Sequence, residues 1–247
     1  MGSDFDWNRT IKSMIRKEIN MMNFIFFKRK NLEEILYNKL KSPSVKDSLL
    51  ADFLWFEEPQ DIEEWEKSVY DEWRRSLSDS ERSSIECYLG YSYRDINDYL
   101  RENKLQTYGL LKSIESHIAN IETALKRTMI DKNIIGFRWI DQEGFNYWCR
   151  KNSIKKIKEG TVLFEKAFVS CNLIYKTPHE REQCDIVLVI KIPAGIKGAP
   201  VSLISRRGYV NEFEVLLNKE QKFVVEKILY KQKRKRIILC TLNRVCK

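Results

Sequence analysis

Gly208-Tyr-Val-Asn-Glu212-Phe-Glu214-Val-Leu-Leu-Asn218 carries the strand pattern from which the fold class follows. In Glu212 to Leu217, charged and apolar residues alternate with a period of two, so an extended strand puts Phe213, Val215 and Leu217 on one face and both glutamates on the other. At a rise of about 3.3 Å per residue, their Cα atoms lie about 6 to 7 Å apart. Two like charges on one strand face repel. Such a pair suits chemistry in which one carboxylate steadies a cation while the other handles a proton. Taken alone, it reads first as a solvated strand face.

Outward from this stretch the same period recurs. Ile134 to Trp139, Asp185 to Ile192, Phe223 to Leu229 and Arg236 to Leu242 are short, rich in Ile, Val and aromatics, and bounded by Gly, Pro or charged turns. The first half keeps a helical period instead. Trp65, Val69 and Trp73 form one stripe, Ile114, Ile118, Ile121 and Leu125 another, and Ser78-Asp-Ser-Glu81 has the spacing of a capping box with Ser78 as N-cap. The expectation is an α+β protein, with a helical N-terminal half followed by a mixed, mainly antiparallel two-sheet core.

Composition removes other classes. The 247 residues include 44 Lys or Arg and 35 Asp or Glu, net +9, with 43% hydrophobic and 12% aromatic residues, which describes a folded basic chain and not a disordered one. The charge is local. Lys219 to Lys247 holds ten basic residues against two acidic, whereas Glu57 to Arg82 holds ten acidic against four basic. Neither Met21 to Phe27 nor Ile186 to Ile190 approaches the roughly 20 residues of a membrane span. The start, Met1-Gly2-Ser3-Asp4, has no secretory pattern, so as written the chain is expected in the cytoplasm. Six cysteines without a C-x-x-C pair and two histidines, His117 and His179, supply no metal set, and no metal is expected. There is no G-x-G-x-x-G after a strand, no P-loop and no G-x-S-x-G elbow.

Seven stretches follow in a fixed order: Trp65 to Trp73, Leu77 to Glu81, Tyr88-Leu-Gly-Tyr-Ser-Tyr93-Arg-Asp-Ile-Asn97-Asp-Tyr-Leu-Arg101, Ile118 to Leu125, Ile134-Ile-Gly-Phe-Arg138, Phe168-Val-Ser170-Cys-Asn172 and Gly208 to Asn218. This succession resembles the R-S-E class of bacterial mono-ADP-ribosyltransferase toxins. Within that class it is most similar to the enzymatic component of iota-type, actin-modifying binary toxins and their vegetative insecticidal relatives, over about residues 60 to 245.

The resemblance implies NAD as substrate, without metal, and a role for each matching position. Arg138 is expected to bind the NAD diphosphate, a task suited to a guanidinium fork. Tyr88, Tyr93 and Asn97 are expected on the nicotinamide and ribose side and Phe168 among the NAD-binding residues, with Ser170 holding Glu214. Glu214 would stabilise the oxocarbenium ion as nicotinamide leaves, and Glu212 would orient or deprotonate the acceptor. Relatives with glutamate at the position of Glu212 usually modify arginine. Tyr209 falls where the family places an aromatic that recognises the acceptor. Three departures stand out: Ser170-Cys171-Asn172 replaces Ser-Thr-Ser, Ala167 replaces an asparagine, and Arg181 and Cys184 occupy the next NAD-facing places.

The acceptor stays open between a protein arginine and a nucleic acid, because the basic cluster Lys231-Gln-Lys-Arg-Lys-Arg236 could neutralise phosphates or be a solvated turn. A third reading is an inactive binding module. Residues 1–60 are expected as a helical extension before a catalytic domain spanning 61–247. The run Asn20 to Phe27, with Lys28-Arg-Lys30, reads as a cap on that domain or as a dock for an antitoxin or delivery partner. The setting could be toxin–antitoxin, phage defence or an exported effector.

Overall fold

The computed structural model describes residues 32–103, 111–175, 184–204 and 213–243. The run Asn20 to Phe27, Arg181, Tyr209 and Glu212 lie outside the described residues.

The apolar run Ile186-Val-Leu-Val-Ile forms the middle strand of the sheet because both of its faces are covered. Ile186, Leu188 and Ile190 belong to one core, and Val187 and Val189 to another. Eight strands are described: β1 (Ile134–Ile140), β2 (Val162–Glu165), β3 (Val169–Asn172), β4 (Ile186–Ile192), β5 (Gly198–Pro200), β6 (Glu214–Leu217), β7 (Gln221–Gln232) and β8 (Lys235–Leu242). Their order is β2-β7-β8-β4-β1-β3-β6-β5, and every described pairing is antiparallel except β4 with β8. A single register pair, Phe137 with Asn172, joins β1 to β3, so the mixed sheet divides at that point into two strand groups. Gly136 permits the close approach there, since a Cβ on it would meet the Cβ of Cys171 at 3.0 Å.

The larger core lies under the helices α3 (Pro59–Arg75), α4 (Asp79–Cys87), α5 (Tyr93–Glu102) and α6 (Leu111–Lys126). The expected capping box forms at α4: the Glu81 N–H donates to Ser78 Oγ at 3.2 Å, and the Ser78 N–H donates to Glu81 Oε2 at 2.9 Å. Arg127 then clamps the Glu81 carboxylate at both oxygens and, helped by Ser78, holds its carboxyl down at about 2. The α6 stripe is buried at all four expected positions. On α3 the stripe needs correction. Trp65 and Trp73 are buried, but Val69 is 41% exposed and the helix buries Glu66 and Tyr70 instead.

The opposite face is covered by the helix over residues 32–41 (α1) and by α2 (Pro43–Leu49). Leu32, Leu36, Leu40, Val45 and Leu50 pack on Ile135, Phe137, Trp139, Val187, Val189, Ile237 and Leu239. Leu54 then runs beside β1, taking the Ile135 N–H at 2.8 Å. One helix falls in the strand-rich half, where none was expected: α7 (Gln142–Lys151), whose N-cap Asp141 accepts from the Gly144 N–H at 2.6 Å. Between α4 and α5 the chain also widens into a π turn over Tyr88–Ser92, centred on Gly90, whose φ of −84° and ψ of −105° are not helical.

Candidate active site

The split between β1 and β3 opens into a cavity of about 880 Å3. Arg138 of β1, Ser170 of β3 and Glu214 of β6 contribute to its lining from the sheet. The π turn and α5 supply Tyr88, Tyr93, Asn97 and Arg101, while α7 supplies Gly144 and Tyr147. Six of the nine residues expected at the site therefore meet in one cavity: Arg138, Tyr88, Tyr93, Asn97, Ser170 and Glu214.

Glu214 is 7% exposed and held on several sides. Ser170 Oγ donates to its Oε1 at 2.6 Å, a charge-assisted hydrogen bond when the glutamate is ionised. The register makes this possible, because Asn172 lies opposite Glu214 and Ser170 opposite Leu216, so Ser170 and Glu214 are diagonal neighbours on one face. The backbone of Glu214 is fixed by the turn after β5: its N–H donates to Ser202 Oγ at 3.1 Å and its C=O accepts from the Val201 N–H at 2.9 Å. Cys171 points to the other face, is 1% exposed and packs in the larger core beside Gly136. The Thr-to-Cys departure thus falls on a core position and leaves the Ser170 hydroxyl where it is needed.

Arg138 is half-buried, and Nη1 donates to the Ser170 carbonyl at 3.4 Å. It makes no salt bridge with a described carboxylate, so its fork remains available to an anion in the cavity. Arg101, by contrast, is committed. Its Nε and Nη2 donate to Glu165 at 3.0 and 2.9 Å. Burial pushes the Glu165 carboxyl up, but the Arg101 hydrogen bonds outweigh it and leave the group below the usual carboxylate range. Arg101 falls in the Tyr88 to Arg101 stretch but carried no expected role. The signal was present, since Tyr93, Asn97 and Arg101 are spaced i, i+4, i+8 and share one helix face.

The Tyr88 hydroxyl accepts from Asn97 Nδ2 at 3.1 Å and donates to the Phe168 carbonyl at 3.4 Å. Burial pushes this phenol up to about 12, so it stays neutral. Phe168 differs from its expected place. It is fully buried, is not part of the cavity lining and meets the Tyr88 ring edge-on at 5.8 Å between centroids. Phe168 immediately precedes β3 and packs into the larger core, so it supports Tyr88 from behind. Cys184 reaches the lining. Tyr147 was not foreseen. Its hydroxyl donates to Glu102, which also pairs with Lys151 at 2.8 Å. Among the described residues no group of His, Cys, Asp and Glu could hold a metal ion, and no helix is long and apolar enough to cross a membrane.

Residues 62–244 match a family model described as ADP-ribosyltransferase exoenzyme. No curated protein matches the chain. Among solved structures, BECa, an ADP-ribosylating toxin of a binary enterotoxin of C. perfringens solved with NADH, is 25% identical with a TM-score of 0.64, covering 76% of this chain and 49% of that one. The chain thus spans about half the length of that toxin. The Clostridium limosum C3 exoenzyme is 22% identical with a TM-score of 0.62, covering 78% and 98%. Plx2a, an ADP-ribosyltransferase toxin from Paenibacillus larvae, is 23% identical with a TM-score of 0.60, covering 75% and 96%.

Proposed function

Because the chain belongs to the ADP-ribosyltransferase exoenzyme family, we propose that it transfers ADP-ribose from NAD to an arginine side chain of a protein, releasing nicotinamide. The observation that carries this reading is the Ser170–Glu214 hydrogen bond of 2.6 Å at a cavity that also presents the Arg138 fork. The cavity volume lies within the range of about 300–1,000 Å3 found for small-molecule sites.

In this reading Arg138 takes the diphosphate of NAD, while Tyr88, Tyr93 and Asn97 bound the nicotinamide riboside. The bond that breaks joins the nicotinamide nitrogen to ribose C1′, and its electron pair leaves with nicotinamide, which becomes neutral. Positive charge develops on the ribose, and the fixed Glu214 carboxylate stabilises it. Preorganised charge of this kind contributes of order 3 kcal/mol in a site that excludes water. The acceptor nitrogen then forms the new bond to C1′, and its proton passes to Glu212. Tyr209 is assigned to acceptor recognition. Purified protein is expected to consume NAD and label a protein target. Glu212→Ala is expected to lose the labelling while keeping weak NAD hydrolysis, whereas labelling by Glu212→Ala at the wild-type rate would remove the arginine assignment.

A nucleic-acid acceptor is the second reading. Its support is a basic concavity of about 320 Å3 across α7 from the main cavity, bordered by Arg150, Lys155, Lys156, Lys231 and Arg236. None of these five forms a salt bridge with a described residue, and Arg236 Nε is buried without a hydrogen-bond partner. Labelled NAD offered separately with RNA, DNA and cell protein decides between the acceptors. An antitoxin or delivery partner belongs to the same proposal, and co-purification of the native protein from its source cell tests it.

A further inference from the structure

Helix α3 turns one face to the core, and its neighbours Ile62 and Trp65 are 0% and 4% exposed. Glu66 lies on that face at 3% exposure, with Oε1 lacking a hydrogen-bond partner. An apolar side chain of the same size would fill this place without the desolvation cost of a carboxyl group. The carboxyl's contribution therefore lies in what it holds. The Ser202 hydroxyl and the backbone at Ser202 and Leu203 lie against it and favour its ionised form.

These residues belong to the turn that fixes the Glu214 backbone. Its Val201 N–H donates to the Glu214 C=O at 2.9 Å, and its Ser202 Oγ accepts the Glu214 N–H at 3.1 Å. A hydroxyl has one proton to donate. With that proton given to Glu66, a lone pair of Ser202 faces the Glu214 N–H. Without Glu66, the hydroxyl is free to rotate and the turn loses its tie to α3.

We propose that Glu66 is a positioning residue for Glu214, acting through Ser202 from the opposite side to Ser170. The inference rests on the reading of Glu214 as the carboxylate that meets the ribose. Ser170 holds the Glu214 side chain, whereas Glu66 and Ser202 hold its backbone, and the two supports together fix the carboxylate in the cavity. A misplacement of about 1 Å at a reacting group costs up to about 100-fold in rate.

The test is steady-state NAD hydrolysis by the wild type, Glu66→Ala, Glu66→Gln, Ser202→Ala and the Glu66→Ala/Ser202→Ala double variant, with melting curves to establish folding. Glu66→Ala and Ser202→Ala are each expected to lower kcat about tenfold with KM for NAD within about twofold. Because both break one chain of hydrogen bonds, the double variant is expected to be about as slow as either single. Glu66→Gln, whose amide oxygen still accepts from Ser202, is expected to stay within about threefold of the wild type. Wild-type kcat in folded Glu66→Ala, or losses that multiply in the double variant, would overturn the inference. Should Glu66→Ala fail to fold, wild-type kcat in Ser202→Ala overturns it equally. A wild-type protein that hydrolyses no NAD overturns the reading of the site and this inference with it.

Discussion

Glu66 also makes a prediction about pH. Burial pushes its carboxyl from an ordinary 4.5 up to about 7. The native state therefore holds this proton more tightly than the unfolded chain does. The contribution to stability is fully present below about pH 4.5 and is lost as pH rises through about 7, a change of about 3 kcal/mol. Other carboxylates, such as Glu165 with Arg101, act in the opposite direction. The informative quantity is thus the difference between wild type and Glu66→Gln in urea unfolding at several pH values. That difference should move in favour of the variant as pH rises from 5 to 8, and a flat difference would contradict the assignment. Arg138 gives a second prediction at this scale. Arg138→Lys keeps the charge and loses the fork, so KM for NAD should rise by about tenfold. An unchanged KM would remove Arg138 from diphosphate binding.

Among the elements, α4 shows how local chemistry and tertiary contact reinforce each other. Ser78 satisfies an N-terminal amide, and Glu81 returns the bond while pairing with Arg127. Ser78→Ala should cost about 1 kcal/mol in urea unfolding, and a change below about 0.3 kcal/mol would show the cap to be dispensable. This start signal was legible because it depends on four consecutive residues. The strands β1, β4, β7 and β8 were legible for a similar reason, since each is long enough to display its period. The strands β2 and β5, with four and three residues, are too short to show one. The π turn at Tyr88–Ser92 escaped because a single helical period runs through it, with Gly90 as the only mark of the break. Helix α7 escaped because its Gly144 and Asn146 weaken the helical signal, and only Phe145 and Trp148 form its core-facing side, while Tyr147 turns away from them to the cavity.

On the scale of the whole molecule, the sheet needs both of its covers. The larger core carries the site, while the helices over residues 32–49 shield Phe137, Trp139, Val187 and Val189 on the reverse face. Leu36 is 0% exposed within that layer. Leu36→Ala should cost about 2–5 kcal/mol, and a chain beginning at residue 57 should aggregate through the uncovered face. A soluble, cooperatively folding truncated chain would contradict this role. The reverse cover was not legible as such. Leu32, Leu36 and Leu40 announce a helix with an apolar face, but the surface they meet comes from β1, β4 and β8, more than 90 residues away in sequence. The site was more legible than the cover, because Arg138, Ser170 and Glu214 each sit in short, ordered motifs that the sheet register then brings together. What those motifs could not show was the support behind them: Phe168 beneath Tyr88, Arg101 on Glu165, and Glu66 behind Ser202.

In the proposed function, Glu214, held by Ser170 at the cavity, carries ADP-ribose transfer from NAD. The deciding measurement is nicotinamide release from NAD by the purified wild type and by Glu214→Gln, compared at equal folding as judged by melting curves. Release by the wild type is expected, with a fall of about 100- to 1,000-fold in kcat for the variant and KM for NAD little changed. Equal release by the two proteins, or none by the wild type, would contradict it.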